Sequence, residues 1–368
     1  MSLTQLWRVD ADPANAQNGE QYAEAAQLLQ GGGTVAFPTE TVYGLGADAC
    51  NTTAVERIFA AKGRPSDNPL IVHIADMKQL DDLILPTGQL ARMLMNRFWP
   101  GPLTIVLPVK PGAVSPKVTA GLDTVAVRMP AHPVARQLIA ASGRPIAAPS
   151  ANRSGRPSPT TAAHVIDDLD GRIDAVLDGG TAGVGLESTV IELVDEETVR
   201  ILRPGGVTAE QLLQLAAKVE YDSSSAPDAS GHNDGGGAAE PGLEAPRSPG
   251  MKYTHYAPRG DMQLVQGEAA EVAACIQSAA RQARSRGERT GVLVFAEHAA
   301  LYGEEEHVIV LGRLSALDEA AQGLYAALRA FDDRQVQRIW AETCPEAGIG
   351  HALMNRLSKA AGHRITRV

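Results

Sequence analysis

Apolar positions along this chain fall into short strand-like runs that alternate with helical stripes. Tyr22, Ala25, Ala26 and Leu29 recur at helical spacing and predict a helix over residues 19–30. Gly31-Gly32-Gly33 stops it and leads into a strand over 34–37, which Pro38 ends because proline cannot donate to a ladder. Thr53-Ala-Val-Glu56 has capping-box spacing and predicts a helix through Ala61, with Val55, Ile58 and Phe59 inward. A strand over 70–74 and a long helical stretch over 80–98 follow. Strands are predicted over 103–107 and 124–129, a helix over 133–142, and a buried strand from Pro145 to a polar tip at Asn152. Strands over 175–177 and 189–193 flank a glycine-rich loop, and a strand over 199–205 precedes a helix over 208–219. Strands and helices interleave, so this part is α/β, though not a regular βαβ series.

Residues 221–250 have no apolar periodicity and are rich in Ser, Asp, Gly, Ala and Pro, a linker composition. The character changes at Ser248-Pro-Gly-Met-Lys-Tyr-Thr-His-Tyr-Ala-Pro258. Two tyrosines, a histidine and a lysine so close together mark a segment that docks on something. From Met262 strands over 262–265, 291–295, 307–311 and 336–341 alternate with helices over 268–286, 315–331 and 348–361. That is the pattern of a smaller, Rossmann-like α/β domain. It has no GxGxxG and no P-loop. The expected division is a domain over 1–217, a linker over 218–261 and a second domain over 262–368.

At 368 residues, 44% hydrophobic and 21% charged, the chain has an ordinary globular composition and room for two cores. A formal net charge of −10 argues against non-specific binding to nucleic acid or anionic membranes, while leaving room for a local basic cleft. The three cysteines, Cys50, Cys275 and Cys344, are dispersed and form no zinc or disulfide pattern. No segment has the length of a membrane span, and a cytoplasmic location is expected.

The stretch Thr34-Val-Ala-Phe-Pro-Thr-Glu-Thr-Val-Tyr-Gly-Leu-Gly46 delivers hydroxyls and glycines at the end of a buried strand, a common construction for a small-molecule site. Lys62 and Arg64 either complement a helix C-terminus or form a cationic clamp for phosphate oxygens. His73 in an apolar strand reads first as a satisfied core residue. Arg128 either points inward and needs a partner, or faces outward. Ser150 and Asn152 cap a strand end, by turn bonds or by ligand contacts. Ser158, Ser188 and Arg203 are further strand-end or loop candidates, and Glu187 is either a metal ligand or solvated. There is no nucleophile elbow, no ordered triad and no acid/base carboxylate pair. An inventory of cations, hydroxyls, amides and glycines suits catalysis by positioning and charge neutralisation at a nucleotide phosphate.

Phe37-Pro-Thr-Glu-Thr-Val-Tyr-Gly-Leu-Gly46, Lys62-Gly-Arg-Pro65, Asn68-Pro-Leu-Ile-Val-His73, Pro149-Ser-Ala-Asn152 and Ser188-Thr-Val together closely resemble the YrdC-like family, the L-threonylcarbamoyladenylate synthases. The resemblance covers about residues 20–217, and the Ser248–Pro258 motif with its trailing domain is similar to the longer, two-domain form. It implies a twisted, mixed α/β sheet with a concave basic face. It implies that L-threonine, bicarbonate and ATP, with Mg²⁺ held mainly by the ATP phosphates, give threonylcarbamoyl-AMP, pyrophosphate and water. The product would feed N6-threonylcarbamoylation of adenosine 37 in tRNAs that read ANN codons, through downstream transfer proteins. Stable binding of nucleic acid by this chain is not expected.

Residue by residue, the resemblance implies threonine contacts at Thr41, His73, Arg128, Ala148 (through its backbone) and Ser188. It implies ATP contacts at Arg64, Asn68, Thr124, Ser150, Ser158, Arg203 and Tyr256, and a catalytic polar tetrad of Lys62, Arg64, Ser150 and Asn152. Tyr256, with Lys252, Tyr253 and His255, matches a linker motif that folds over the site. The long acidic, glycine-rich insertion before that motif departs from the family pattern. Two rivals remain on sequence grounds. One is carbamoyl transfer from carbamoyl phosphate, whose related domains sit in larger proteins with zinc-finger cysteines that this chain lacks. The other is a double-stranded RNA-binding module, against which the acidic balance and sparse aromatics weigh.

Overall fold

The computed structural model describes residues 3–10, 19–222, 256–303 and 305–368. Ser248 to His255 of the expected lid motif, with Lys252 and Tyr253, lie outside them.

Two sheets organise the described residues. The first has eleven strands, in the spatial order Gln5–Arg8, Ala175–Asp178, Val35–Pro38, Tyr43–Asp48, Ile146–Ala147, Ile71–His73, Thr124–Arg128, Leu103–Pro108, Thr189–Leu193, Thr198–Arg203 and Lys218–Tyr221. Parallel and antiparallel pairs mix. Ile71–His73 runs parallel to Thr124–Arg128, which is antiparallel to Leu103–Pro108. Pairing between strands distant in sequence brings their ends together at one edge of the sheet.

The largest apolar cluster sits between this sheet and the helices Thr52–Lys62 and Gln89–Phe98. A second packs the helices Gly19–Gln30 and Pro133–Ser142 against Val35, Phe37 and Leu177. Aromatics are scarce, so close backbone approach does much of the packing. A Cβ on Gly46 would stand 2.7 Å from both Ile146 and Phe37, which excludes any larger residue there.

Several local expectations change. Pro38 is the last residue of its strand and pairs with Tyr43. Parallel pairing to the Ala175–Asp178 strand has already ended at Ala36, so its missing N–H falls at the end of the ladder. The helix Thr52–Lys62 is capped by Asn51, whose side chain accepts from the Ala54 N–H, so the Thr53/Glu56 capping box is not its start. The 80–98 stretch divides into Met77–Leu83 and Gln89–Phe98, with Pro86 and Gly88 between them. The 208–219 helix shrinks to Ala209–Leu212, and Lys218–Tyr221 becomes an edge strand parallel to Thr198–Arg203. Arg200 holds that edge by ion pairs to Glu192 and Glu220.

The second sheet has five parallel strands in the order Val308–Gly312, Thr290–Phe295, Arg338–Glu342, Asp261–Gln266 and Ile365–Arg367. The helix Ala269–Ser285 packs with Val292, Val294 and Trp340 in one cluster. The helices Leu317–Asp333 and Ile349–Ala360 pack with Met262, Leu264 and Leu293 in another. That second cluster also takes in Val42, Leu186 and Tyr256, so the two halves share one apolar core. Their contact is close: a Cβ on Gly185 would fall 2.4 Å from the Gln322 backbone, and Gly185 adopts φ +77°. No helix among the described residues is long and apolar enough to cross a membrane.

Candidate active site

One cavity gathers strand ends and loops from across the first sheet. Thr41, Gly44, Arg64, His73, Arg128, Ala148, Ser150, Asn152, Arg156, Ser158, Glu187, Ser188, Arg203 and Tyr256 are among its lining residues. Its free interior is narrow, about 70 Å³ for the centre of a water-sized sphere, and it widens to about 650 Å³ only when the space open to solvent at its mouth is included. Of the expected site residues all but Lys62, Asn68 and Thr124 line it.

The sheet register explains why. His73 and Arg128 are directly paired across neighbouring parallel strands. Gly44 bridges to Ser150, and the Ala148 N–H donates to the Ile71 carbonyl. Four stretches far apart in sequence therefore end side by side.

Arg128 points inward and is buried. It pairs with Glu40 at 2.6 Å, donates to Thr41 Oγ1 at 2.9 Å and to the Gly101 carbonyl at 3.2 Å. Thr41 Oγ1 also shares a hydrogen bond with Thr39 Oγ1. Beside them, burial and the Arg128 charge push the His73 imidazole down to about 3, so it is neutral. Its Nδ1 donates to the Ile71 carbonyl at 3.2 Å.

Arg203 donates to the Ser188 carbonyl and to Ser188 Oγ, at 3.0 and 3.1 Å. Ser188 Oγ and Thr104 Oγ1 share a further bond at 2.7 Å. Glu187 is buried, and neither open reading of it holds. Burial alone would raise its carboxyl, but Arg356 and Arg203, with the Ser158 hydroxyl, hold it down at about 2. Ser158, Tyr325 and Arg356 all donate to its two oxygens. It is neither solvated nor available to a metal. Among the described residues no cluster of three His, Cys, Asp or Glu side chains forms a metal site.

The expected clamp of Lys62 and Arg64 divides. Arg64 lines the cavity. Lys62 lies behind the wall, 3% exposed, where its ammonium donates to the carbonyls of Ser150 and Asn152 at 2.5 and 2.6 Å. Burial and the Arg64 charge lower its pKa well below the ordinary lysine value. Ser150 Oγ donates to Asn152 Oδ1, and Asn152 Nδ2 donates to the Arg153 and Arg156 carbonyls. Lys62, Ser150 and Asn152 thus form one braced tip. Asn68 is fully buried, with neither amide atom hydrogen-bonded inside the protein. Thr124 sits half-buried at the start of its strand, opposite Pro108.

Family models match both halves: one described as telomere recombination over residues 27–205, the other as threonylcarbamoyl-AMP synthase, C-terminal domain, over 207–362. The threonylcarbamoyl-AMP synthase of Bacillus subtilis is 51% identical over 364 residues, covering 99% of each chain. The chain belongs to the threonylcarbamoyl-AMP synthase family. The enzyme of that name from Pyrococcus abyssi is 45% identical over 94% of this chain and 95% of its own. The crystal structure of P. abyssi Sua5 complexed with L-threonine superposes with a TM-score of 0.87 at 41% identity, covering both chains fully. This is the two-domain form of the family, a mixed sheet followed by a parallel one.

Sequence reasoning missed several residues in or behind this family member's cavity. Arg156 lines it and forms ion pairs with Asp168 and Asp332. Glu40, within the 34–46 stretch but not singled out by its pattern, is the counter-charge of Arg128. Tyr325 and Arg356 come from the second half, and no local motif ties them to Glu187. Only the burial of Glu187 reveals the need, since a buried carboxylate demands cations from elsewhere.

Proposed function

We propose that this chain catalyses the reaction of L-threonine, bicarbonate and ATP to threonylcarbamoyl-AMP, pyrophosphate and water, for N6-threonylcarbamoyladenosine formation in tRNA. The observation that carries this is the convergence of Thr41, His73, Arg128, Ala148, Ser150, Ser158, Ser188 and Arg203 on one cavity, in a chain of this family.

Threonine occupies the end at Arg128. The guanidinium takes its carboxylate, Thr41, Ser188 and the Ala148 backbone orient it, and neutral His73 packs beside it without adding charge. The threonine amine, as free base, adds to carbon dioxide formed as bicarbonate sheds hydroxide, and that hydroxide takes up the amine proton as water. A carbamate remains. One carbamate oxygen then attacks the α-phosphorus of ATP in line, the bond to the pyrophosphate oxygen breaks, and pyrophosphate departs with its electron pair.

Arg64, Arg203 and the Ser150–Asn152 tip line the nucleotide end. Arginines suit phosphate oxygens by charge and by their planar fork, and they offset charge developing on the leaving group. Asn68 and Thr124 lie off the cavity wall, so the expected ATP contacts are carried here by Arg64, Ser150, Ser158, Arg203 and Tyr256, which line it. Lys62 contributes by bracing the tip. Mg²⁺, held mainly by the ATP phosphates, would offset charge on the triphosphate. Tyr256 is buried in the cavity wall, beside the nucleotide end. We place the catalytic unit at 1–217, the linker at 218–261 and the second domain at 262–368, in the cytoplasm, with downstream proteins that transfer the product to tRNA.

The test is pyrophosphate release from ATP that requires both threonine and bicarbonate. Release that ignores either one, or carbamoyl phosphate serving as donor, would overturn the reading.

A further inference from the structure

Glu187 joins the two halves. Ser158 Oγ donates to its Oε1 at 2.6 Å from the cavity side. Tyr325 reaches both carboxylate oxygens with its hydroxyl, at 2.8 and 3.0 Å, from the helix Leu317–Asp333. Arg356 Nε donates to Oε2 at 2.8 Å from the helix Ile349–Ala360, and its Nη2 donates to the Pro204 carbonyl at 2.9 Å. The same guanidinium lies over the Tyr256 ring, 5.2 Å from its centre, and that ring stacks on Tyr325. Arg356 is fully buried, so its place is fixed by the packing between the halves.

An ionised carboxylate only accepts hydrogen bonds. With Glu187 ionised, the hydroxyl proton of Ser158 is committed to it. What Ser158 presents to the cavity is a lone pair. A phosphate oxygen is also an acceptor and gains nothing from such a group.

We propose that Tyr325 and Arg356 are positioning residues for the nucleotide: they fix Glu187, Glu187 turns the Ser158 proton away from the cavity, and Ser158 accepts a hydrogen bond from a nucleotide N–H or O–H rather than touching phosphate. This rests on the reading of the cavity as an ATP site. It gives the second half a task in nucleotide selection, carried by two side chains.

The experiment uses the full chain. ATP dissociation constants, with KM for ATP and threonine, are measured for wild type, Tyr325→Phe, Ser158→Ala, the double variant and Arg356→Lys. Tyr325→Phe removes a single oxygen and leaves the ring stack in place, so the fold survives; thermal melting checks this. ITP, which lacks the 6-amino donor, 2′-deoxyATP and 3′-deoxyATP are measured beside ATP.

The expected result is that Tyr325→Phe and Ser158→Ala each weaken ATP about five- to tenfold while KM for threonine stays within twofold. Adding Tyr325→Phe to Ser158→Ala changes ATP affinity less than twofold. One of the three analogues binds wild type at least fivefold more weakly than ATP, and Ser158→Ala erases that difference. Arg356→Lys, which keeps the charge but not the fork, falls between. Multiplying effects in the double variant, equal rises in both KM values, or three analogues that bind as well as ATP would overturn the proposal. Wild type that binds ATP but releases no threonine- and bicarbonate-dependent pyrophosphate would instead overturn the function above and leave the binding comparison intact.

Discussion

Replacing Lys62 by methionine separates two roles that the sequence could not tell apart. If Lys62 touched phosphate, the change would abolish activity and leave stability alone. The structure predicts a loss of both. The ammonium donates to the Ser150 and Asn152 carbonyls at 2.5 and 2.6 Å, with Asn152 Oδ1 at 3.4 Å. Methionine keeps most of the buried stem but leaves two carbonyls without a donor, at about 1–3 kcal/mol each. Relief from burying an ammonium offsets part of that, because burial already disfavours the charged form. A net cost of about 3 kcal/mol remains, to be set against a total domain stability of about 5–15 kcal/mol. Lys62→Met should therefore fold, and its melting temperature should fall by roughly 6–12 °C. Pyrophosphate release should drop as well, because the Ser150–Asn152 tip loses its brace. Calorimetric melting and a coupled pyrophosphate assay on the same preparation decide it. An unchanged melting temperature with lost turnover would refute the bracing role and restore Lys62 to the phosphates.

The contrast shows what the sequence could and could not carry. Lys62-Gly-Arg-Pro65 and Pro149-Ser-Ala-Asn152 were visible as chemistry because polar residues interrupt apolar strands, and local pattern reports that directly. Which way Lys62 points depends on where residues 150–152 pass, some ninety positions later, and no local period encodes that. The same holds for Arg128: its inward direction became legible only with Glu40 in place, across two strands. The parallel C-terminal strands were readable because their apolar runs alternate with strongly striped helices. The edge strands Gln5–Arg8, Lys218–Tyr221 and Ile365–Arg367 were not, since each is short, largely polar and held by pairing on one side. Tyr325 and Arg356 were hidden for a different reason. Each sits on a buried helix face, where a tyrosine or arginine looks like packing until the facing carboxylate is known.

Arg64 lines the cavity, and its contacts include a long one, at 3.5 Å, to the Pro69 carbonyl. Arg64→Ala should slow pyrophosphate release by about a hundredfold or more, as loss of one charged transition-state contact does, and normal turnover in a coupled assay would count against its place on the phosphates. Arg128→Lys keeps the charge beside Glu40 but loses the fork that also holds Thr41 and Gly101. KM for threonine should rise about tenfold while KM for ATP holds, and a parallel rise in both would count against the assignment of that end. Glu187 supplies the acid limit of stability. Its carboxyl is held at about 2 in the folded chain against an ordinary 4.5, so the unfolded chain binds more protons as pH falls through that interval. The contribution is on the order of 3 kcal/mol, fully present above pH 4.5 and lost as pH falls toward 2. Glu187→Gln cannot titrate and leaves Arg356 buried without its counter-charge, so it should be less stable than wild type at pH 7. Its melting temperature should also fall less steeply between pH 4.5 and 2. Parallel acid profiles for the two proteins would show that Glu187 is not held ionised by the second half, and the account of Ser158 would fall with it.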